Sequence, residues 1–365
     1  MRPPDRLWAP CYNRRMAGWP GVIEYYRERI DLAREAPVIT LLEGNTPLIP
    51  TPRLADSLGA ASLYVKFEGL NPTGSFKDRG MTVAISQAVH TGARIAVCAS
   101  TGNTAASAAA YAARAGLRCL VLIPAGQVAA GKLAGAIAYG AEVLQIDGSF
   151  DQALDLVRQA TDDSTVALVN SVNPFRLEGQ KTLAFELVDR LGTAPDWLAL
   201  PVGNAGNISA IWQGFAQLAE LDGLRPPRLL GVQAAGAAPL VLGHPVDHPK
   251  TLASAIRIGR PARGDQALAS AAQSGGRIVA VEDQAILEAQ RLLASEGLWV
   301  EPASAAGLAG LRQEVAAGRL SLTNQSVVVV CTGHGLKDPS IVTDSWPAPR
   351  PIQATRQALA EVLRS

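Results

Sequence analysis

The sequence predicts an α/β fold in which open, twisted, mostly parallel sheets are covered by helices on both faces. Short runs of apolar and β-branched residues alternate along the chain with longer, alanine-rich stretches of helical period. Gly92, Gly116 and Gly140 each follow a predicted helix and precede a predicted strand, as residues that end helices commonly do. Alternating strands and helices favour parallel pairing, because each crossover helix packs against a face of the sheet.

The order of the predicted elements follows from this alternation. Strands are expected at residues 63–67, 93–99, 118–124, 141–147, 165–170, 196–202, 228–234, 276–281 and 326–331. Helices are expected at residues 21–35, 77–91, 104–115, 129–139, 149–161, 176–191, 206–220, 283–296 and 303–317. The proline-rich end of the chain, 340–365, is expected to finish in a further Ala/Leu helix.

The chain is predicted to form two domains, one inserted into the other. Residues 58–164 contain four strand–helix units and are expected to form a small, mobile domain with a sheet of its own. Residues 1–57 and 165–365 are expected to form the large domain. Within the latter, residues 1–20 carry scattered prolines and no periodic pattern, so they are expected to be an extension.

Composition and charge exclude several classes of protein. Of the 365 residues, 48% are hydrophobic, which is ample for a buried core and excludes wholesale disorder. The formal net charge of +1 argues against a nucleic-acid partner, which requires a basic face. The apolar runs are too short and too interrupted for a membrane span of about 20 residues.

The cysteines and the N-terminus give expectations about metals and location. Cys11, Cys98, Cys119 and Cys331 are far apart and form no CxxC pair, so neither a zinc site nor a disulfide framework is expected. HExxH and GxSxG motifs are absent from the sequence, so metal-dependent and serine-nucleophile hydrolysis have no support. The N-terminus shows no apolar segment of a secretory signal, and a cytoplasmic location is expected.

Ligands bind open α/β sheets where strands end and helices begin, so the loops at these junctions are the candidate sites. In the loop 71–80, Pro72 and Gly74 predict a turn, and Lys77 falls in the first helical turn. The common interpretation is a solvated lysine that is compensated by Asp78. The alternative is an amine whose pKa is lowered by burial and the helix terminus, and which acts as a Schiff-base nucleophile or proton shuttle.

The loop 98–107 directly follows a predicted strand. Hydroxyls, an amide and a close-approaching glycine are supplied by Ser100, Thr101, Gly102, Asn103 and Thr104. Together with free helix N–H groups they suit a carboxylate or phenolate oxygen. An ordinary helix cap remains the alternative, although five polar or glycine residues exceed what a cap needs.

The loop 201–207 also joins a strand to an apolar helix. Its residues after the strand are Gly203, Asn204, Ala205, Gly206 and Asn207. The glycines free the backbone to wrap an anion at the helix N-terminus, which predicts a phosphate site without a P-loop lysine. The spacing is not GxGxxG, so a dinucleotide site has little support.

Two further loops carry candidate groups. Thr332 ends a predicted buried strand and has a hydroxyl that can donate to a ring nitrogen without adding charge. His334, between two glycines, is either a general base or, more commonly, a hydrogen-bonding spacer. Asn170, Ser171 and Arg176 follow another strand and form either a second anion site or a helix cap with a surface arginine.

Together these segments resemble the pyridoxal 5'-phosphate (PLP) enzymes of fold type II, the tryptophan-synthase β family, and within it the threonine synthases. The resemblance covers about residues 20–340. Its segments occur in the expected order: EGNTPL (43–48), NPTGSFKDRGM (71–81), CASTGNTAAS (98–107), NSVNPFRLEGQKT (170–182), PVGNAGN (201–207), EPASAAG (301–307) and TGHGLKD (332–338).

The resemblance implies a role for each candidate residue. Lys77 would hold PLP as a Schiff base, Asn103 would bond the 3-oxygen of its ring, and Thr332 would face the pyridine nitrogen. The cofactor phosphate would lie against Gly203, Asn204, Ala205, Gly206 and Asn207 in the large domain. The substrate carboxylate would be bound by the loop of Ser100, Thr101, Gly102, Asn103 and Thr104. The substrate phosphate would be bound by Thr104, Asn170, Ser171 and Arg176.

The implied reaction is elimination of phosphate from O-phospho-L-homoserine followed by addition of water, giving L-threonine. The family also implies a homodimer. The alternatives are another lyase of fold type II, such as a serine/threonine dehydratase or a cysteine-synthase-like enzyme, and a PLP-binding paralogue without catalysis. A site for the substrate phosphate would separate the first activity from the dehydratase, whose substrates carry no phosphate.

Overall fold

The computed structural model describes residues 18–124, 130–147, 152, 157, 165–343 and 349–364. Its strands are β1 Leu48–Pro50, β2 Ser62–Phe67, β3 Ile95–Ala99, β4 Arg118–Pro124, β5 Glu142–Ile146, β6 Val166–Leu168, β7 Trp197–Pro201, β8 Arg228–Ala234, β9 Arg277–Val281 and β10 Ser326–Cys331. They form two sheets, a six-stranded sheet of order β1-β2-β10-β7-β8-β9 and a four-stranded sheet of order β5-β4-β3-β6. All paired neighbours run parallel except β1 and β2.

Helices connect these strands and cover both sheets. In the described residues the α-helices are Val22–Tyr25, Pro52–Leu58, Lys77–His90, Asn103–Ala115, Ala130–Ala138, Pro174–Gln180, Thr182–Leu191, Gly206–Asp222, Pro239–Leu242, Gly264–Gln273, Asp283–Ser295, Pro302–Ala316, Ser340–Thr343 and Arg356–Val362. Short 3-10 helices lie at Arg27–Arg29, Glu68–Leu70, Ala235–Ala237, Ser254–Ile256 and Gly335–Lys337. None of these described helices is both long and apolar enough to cross a membrane.

Each predicted strand is confirmed. The elements that were not predicted are strand β1 and several helices, of which Gly264–Gln273 is ten residues long. The strand β1 was not predicted, because three residues that include a proline are too few to show a period. The expected helix at 21–35 is wrong: the α-helix ends at Tyr25, and a short 3-10 helix, Arg27–Arg29, follows. The guanidinium of Arg27 donates to the carbonyls of Ala33 and Ala36, so the amphipathic stretch is held as a loop.

Of two other predicted helices, one is divided in the structure and one lies mostly outside the described residues. The expected helix at 176–191 is two helices, Pro174–Gln180 and Thr182–Leu191, which meet at Lys181. The expected helix at 149–161 lies almost wholly outside the described residues.

The two sheets do not divide where the domain prediction places the boundaries. Strand β2, inside the predicted small domain 58–164, pairs along its whole length with β10 of the six-stranded sheet. Strand β6, inside the predicted large domain, pairs with β3 of the four-stranded sheet. By sheet membership the smaller unit therefore begins and ends later than expected, and the division into two domains stays a prediction.

The six-stranded sheet has a large apolar core on each face. One core is centred on helix Pro302–Ala316 and includes Leu230, Val232, Val327 and Val329. The other packs helix Gly206–Asp222 against the alternate residues of the same strands, such as Leu198, Leu200 and Val328. Because side chains alternate across a strand, a strand buried on both faces must be apolar throughout, as SVVVVC at β10 is. This packing fixes the carboxyl ends of β7 and β10.

Candidate active site

The loop before Lys77 is held from several sides, and helix Lys77–His90 starts at that residue. The carboxylate of Asp78 accepts from the backbone N–H and hydroxyl of Thr73 at 2.7 and 2.6 Å, and from the hydroxyl of Ser107 at 2.6 Å. Asp78 is therefore not the solvated partner of Lys77 that the sequence suggested. It is fully buried, and burial raises its pKa to about 6 although these three hydrogen bonds act in the opposite direction.

A buried ion cluster lies behind the same helix. Arg79 donates to both Glu68 and Glu186 at 2.6 to 2.8 Å, and Lys66 pairs with Glu186 at 2.7 Å. All four side chains are nearly inaccessible to solvent. Removing one partner of such a cluster leaves a buried charge unpaired, which costs about 3–5 kcal/mol. The cluster thereby joins β2 to the helices Lys77–His90 and Thr182–Leu191.

The amine of Lys77 has the properties of a reactive lysine. Burial, and secondarily the positive charge of Arg176, lowers the pKa of Lys77 to about 7, while Glu301 opposes this shift. The Nζ atom lies 4.2 Å from the centroid of the Phe76 ring. A large fraction of the amine is therefore neutral, and nucleophilic, at neutral pH. The structure supports the alternative interpretation of Lys77 over the solvated one.

Lys77 faces a cavity of about 380 Å³ that lies between the two sheets. The sequence-predicted residues that line the cavity are Lys77, Ser100, Thr101, Gly102, Asn103, Thr104, Asn170, Ser171, Gly203, Asn204, Ala205, Gly206, Asn207 and Thr332. All of them except Lys77 follow the ends of four strands, β3, β6, β7 and β10, whereas Lys77 begins the helix after β2. Carboxyl ends of parallel strands are the usual place for ligands in such folds, and here two sheets direct theirs at one cavity.

Arg176 is the predicted site residue that does not line this cavity. It is fully buried, and its Nη1 donates to the carbonyl of Val169 at 2.7 Å. Within the described part of the chain its Nε and Nη2 have no hydrogen-bond partner. Helix Pro174–Gln180 crosses helix Lys77–His90 so closely that a Cβ at Gly80 would lie 2.8 Å from Arg176 Nε. The side chain therefore lies inward, near Lys77, and the surface-arginine interpretation is wrong.

The glycine loop after β7 has the shape of an anion cradle. Ala205 adopts a left-handed conformation with φ of 64° immediately before helix Gly206–Asp222. An L-residue there costs about 1–2 kcal/mol, and such strain is commonly kept where backbone N–H groups must face a ligand. The side-chain Nδ2 of Asn207 is buried and, among the described residues, has no partner. A Cβ at Gly203 would lie 3.1 Å from the Cα of Ile256, so glycine is needed for the close approach.

Thr332 is presented to the cavity by its neighbours. Its Oγ1 lies 3.0 Å from the hydroxyl of Ser304, and the same hydroxyl accepts from the N–H of Gly333 at 2.8 Å. The carbonyl of Thr332 accepts from the N–H of Phe76, which ties this strand end to the Lys77 loop. A neutral hydroxyl held in this way is able to meet a ring nitrogen.

His334 does not line the cavity. Its ring stacks on Phe67 with centroids 5.7 Å apart, and its Nδ1 accepts from the N–H of Leu336 at 3.1 Å. Burial lowers the pKa of the imidazole, so it is neutral at physiological pH. The spacer interpretation of His334 agrees with these contacts.

Some predicted residues make structural contacts as well as lining the cavity. The amide of Asn170 pairs with the backbone of Ala99, accepting from its N–H at 2.9 Å and donating to its carbonyl at 2.8 Å. It thereby holds the ends of β6 and β3 together. The Nδ2 of Asn103 donates to both carboxylate oxygens of Glu301 at 3.0 and 3.1 Å.

Sequence reasoning missed several residues of the site. Glu301 and Ser304 lie in the segment EPASAAG, whose resemblance to the family carries no role for either residue. Lys337 lines the cavity and donates from Nζ to the carbonyl of Thr73 at 2.9 Å. Another part of the wall is the segment 254–258, whose sequence SAIRI shows no polar cluster after a strand and so gave no signal.

Comparison with known proteins first defines the class. The family model of pyridoxal-phosphate-dependent enzymes matches residues 39–333, and the chain belongs to that family. The cofactor of the protein is accordingly PLP.

Comparison with curated proteins defines the group within that class. The chain is 58% identical to the threonine synthase of Synechocystis sp. over 90% of its own length and 86% of that protein. It is 54% identical to the threonine synthase of Mycobacterium leprae over 94% of its own length and 96% of that protein. The chain is therefore a member of the threonine synthase group of PLP-dependent enzymes.

Solved structures confirm the fold. Maize serine racemase superposes with a TM-score of 0.73 at 21% identity, covering 89% of this chain and 96% of that one. A threonine deaminase from T.th. superposes with a TM-score of 0.65 at 28% identity, covering 80% of this chain and 92% of that one. The predicted fold-type-II architecture, with two mostly parallel sheets flanked by helices, is thereby confirmed.

The residues present fit this cofactor. PLP needs an amine for its aldehyde and donors for its phosphate, and the cavity provides Lys77 and the loop Gly203–Asn207. The buried Nδ2 of Asn207, which has no partner among the residues that the structure describes, is the kind of group that a bound phosphate would satisfy. The neutral hydroxyl of Thr332 on the cavity wall suits a pyridine nitrogen.

Proposed function

We propose that the protein converts O-phospho-L-homoserine and water into L-threonine and inorganic phosphate. The observation that carries this proposal is the amine of Lys77, with a pKa of about 7, facing a cavity with anion-binding loops on two sides. A PLP enzyme that acts on a phosphorylated amino acid must bind two phosphates. The loop after β7 and the loops after β3 and β6 would each bind one of them. The threonine synthases at 54–58% identity support the same substrate.

Each cofactor contact is assigned to one group of the chain. Lys77 binds the aldehyde carbon, Asn103 donates to the ring oxygen, and Thr332 faces the ring nitrogen. The cofactor phosphate is held by Gly203, Asn204, Ala205, Gly206 and Asn207. The backbone N–H groups and the positive end of helix Gly206–Asp222 meet its charge without a lysine.

The chemistry divides between cofactor and protein. When bound, PLP supplies an electron-withdrawing ring that acidifies the Cα–H bond of the amino acid. Lys77 would be freed when the amino group of the substrate takes its place at the aldehyde carbon, and as a neutral amine it would accept the proton from Cα and carry a proton from Cβ to Cγ. The bond between Cγ and the phosphate oxygen breaks, and phosphate leaves with the electron pair. The oxygen of water then bonds to Cβ and releases a proton, which balances the charge of the released phosphate. Cα takes back the proton held by Lys77, and Cγ, which has gained a proton from Cβ, ends as the methyl group of threonine.

The substrate is held by the opposite wall. Its carboxylate lies against the loop Ser100–Thr104, where helix Asn103–Ala115 begins. Its phosphate is bound by Thr104, Asn170, Ser171 and Arg176. The two unpartnered guanidinium nitrogens of Arg176 support this role, because a buried cation without a partner is costly and an anion would compensate it. Arg176 is fully buried and lies outside the cavity lining, so binding through it requires the wall in front of it to rearrange.

The proposal extends to movement, assembly and location. The unit around the four-stranded sheet closes on the substrate and excludes bulk water, which suits a reaction in which one water must add at a chosen carbon. The protein is a homodimer, as the family resemblance implies. It works in the cytoplasm, where its buried, free thiols Cys98, Cys119 and Cys331 stay reduced.

A serine/threonine dehydratase is the second candidate. The superposition with a threonine deaminase favours it only at the level of fold and chemistry class. It is disfavoured because its substrates carry no phosphate and would leave Arg176 without an anion.

The test is an assay of phosphate release and threonine formation from O-phospho-L-homoserine. We expect equal amounts of the two products, and a loss of turnover of about a thousandfold or more in Lys77→Ala. Lys250→Ala, at an exposed lysine outside the cavity lining, is the matched control and should keep full activity.

Two results would contradict the proposal. Faster formation of 2-oxobutanoate from threonine than of threonine from O-phospho-L-homoserine would indicate a dehydratase. Binding of PLP without turnover of either substrate would indicate a non-catalytic paralogue.

A further inference from the structure

A carboxylate from the six-stranded side of the molecule reaches across the cavity to the substrate loop. Both oxygens of Glu301 accept from Asn103 Nδ2, at 3.0 and 3.1 Å. Asn103 begins the helix after β3, whereas Glu301 immediately precedes helix Pro302–Ala316, which packs on β7 and β8. These two side chains therefore connect elements that belong to different sheets.

The position of Glu301 is fixed by its surroundings. Its N–H donates to the carbonyl of Gly333 at 3.1 Å, and its own carbonyl accepts from the N–H of Ser304 at 2.9 Å. A Cβ at residue 333 would lie 2.3 Å from Oε1 of Glu301, so a glycine at that position leaves room for the carboxylate. Glu301 is only 5% exposed. A buried carboxylate held this firmly is a costly feature unless it serves the site.

Charges around Glu301 connect it to the reactive amine. Burial raises the pKa of Glu301, and Asp338 adds to this, whereas the bond from Asn103 and the cations Lys337 and Lys77 oppose it. In turn, Glu301 raises the pKa of Lys77 against burial.

Charges from other elements bear on the same amine. Arg176, from helix Pro174–Gln180, lowers the pKa of Lys77. Glu301 is the anion that acts against that lowering.

We propose that Glu301 is a positioning residue that fixes the amide of Asn103 with its N–H groups toward the cofactor and keeps an anion beside Lys77. The Asn103 amide has two N–H groups, and holding one on a carboxylate determines which way the other points. Without Glu301 the amide is free to turn its oxygen toward the ring oxygen of the cofactor, where two acceptors repel. This inference rests on the proposed cofactor contacts of Lys77 and Asn103.

The experiment uses the full-length apoprotein and compares Glu301→Gln with Glu301→Ala. Glutamine keeps an acceptor for Asn103 and removes the charge, whereas alanine removes both. Glu314→Gln is the matched control, because Glu314 is a buried carboxylate near the other end of the same helix and does not line the cavity. Two quantities are measured: the dissociation constant of PLP, and the pH dependence of acylation of the Lys77 amine, located by mass spectrometry.

We expect two separable results. Glu301→Ala weakens PLP binding about tenfold, the value of one hydrogen bond to a charged group, while Glu301→Gln weakens it less. Glu301→Gln moves the acylation midpoint of Lys77 to lower pH, because removing a neighbouring anion disfavours the charged amine. Glu314→Gln changes neither quantity.

The proposal is overturned if the acylation midpoint in Glu301→Gln and the PLP affinity in Glu301→Ala both match those of the unmodified protein. It is also overturned if the Glu301 variants lower only the melting temperature, as a purely structural residue would. Should Glu301→Ala fail to fold, the midpoint in Glu301→Gln decides alone. Failure of the unmodified protein to bind PLP at Lys77 would instead contradict the proposed function.

Discussion

The two sheets meet at one cavity but are packed with different side chains. The two cores of the six-stranded sheet consist mainly of leucine, isoleucine, valine and phenylalanine, with alanines in the minority. Among the described residues, alanines make up nearly half of the core of the four-stranded sheet: Ala84, Ala96, Ala105, Ala108, Ala109, Ala110, Ala112 and Ala136. Each buried methylene contributes about 0.8 kcal/mol, so an alanine core stabilises its sheet less per residue.

This difference matches the division of labour that we propose in the cavity. The cofactor loop Gly203–Asn207 and Thr332 follow β7 and β10, whose side chains are almost completely buried. The substrate loops Ser100–Thr104 and Asn170–Ser171 follow β3 and β6 of the less heavily packed sheet. Regions with fewer buried apolar contacts open at lower free energy. On the proposed assignment, the permanent ligand would lie on the six-stranded side, and the ligand that enters and leaves would lie on the four-stranded side.

The crossing of helices Lys77–His90 and Pro174–Gln180, which joins the two sheets, should be the position where a substitution lowers stability most. Helices Lys77–His90 and Pro174–Gln180 cross so closely that a Cβ at Gly179 would lie 1.8 Å from the carbonyl oxygen of Arg79. We expect Gly179→Ala to lower the free energy of unfolding by about 3 kcal/mol or more, because neither backbone can yield without moving the buried ion cluster. Urea unfolding of the apoprotein measures this change.

Gly135, on the four-stranded side, provides a matched control. At Gly135, inside helix Ala130–Ala138, the contact that a Cβ would make with the described residues is with Ala106 Cβ at an ordinary 3.4 Å. Gly135→Ala should be neutral or stabilising, by up to about 1 kcal/mol from helix propensity. Equal unfolding midpoints for Gly179→Ala and Gly135→Ala would mean that the crossing is not close-packed.

The loop after β7, on the six-stranded side, should determine the affinity for the cofactor and not the affinity for the substrate. A Cβ at Gly203 would lie 3.1 Å from Ile256 Cα and 3.2 Å from the carbonyl of Ala255, so the turn opposite the loop must shift. We expect Gly203→Ala to weaken PLP binding about tenfold or more, since overpacking by one methyl typically costs about 1–3 kcal/mol. Equilibrium dialysis of the apoprotein gives the affinity. A raised KM for O-phospho-L-homoserine with unchanged PLP affinity would reverse our assignment of the two walls.

The ends of the strands could be predicted from the sequence, whereas side-chain contacts between residues far apart in the sequence could not. The loops at Lys77, Asn103 and Gly203 were predictable, because an apolar run followed by polar and glycine residues is a local signal. The contact between Asn103 and Glu301 was not, because it joins residues 198 positions apart.

The inward position of Arg176 shows the same limit. It depends on two helices crossing at Gly80 and Gly179, where neither helix carries a Cβ that would keep them apart. No local pattern in either segment reveals that crossing, because each glycine by itself looks like an ordinary residue of a predicted helix. The broken helix at 21–35 failed for a related reason, because long-range tertiary contacts overrode an amphipathic period.

Arg263 bridges the two walls, and it should give the smallest effect. This residue, at the start of helix Gly264–Gln273, donates from Nε to the carbonyl of Ser171 at 3.2 Å and from Nη2 to that of Val172 at 3.1 Å. A lysine cannot span two carbonyls, so Arg263→Lys should lose one hydrogen bond, about 0.5–1.5 kcal/mol. We expect the KM for O-phospho-L-homoserine to rise about threefold to tenfold, with PLP affinity unchanged.

The neighbouring Arg260→Lys serves as the control, because Arg260 is a largely exposed side chain that pairs with Asp247 at the surface. Surface pairs contribute about 0–1 kcal/mol, so steady-state kinetics should show no change. If Arg263→Lys instead lowers kcat and leaves KM alone, then the bridge controls how fast the substrate wall opens and not where Ser171 lies. In that case the softness of the four-stranded side would limit turnover directly, through product release.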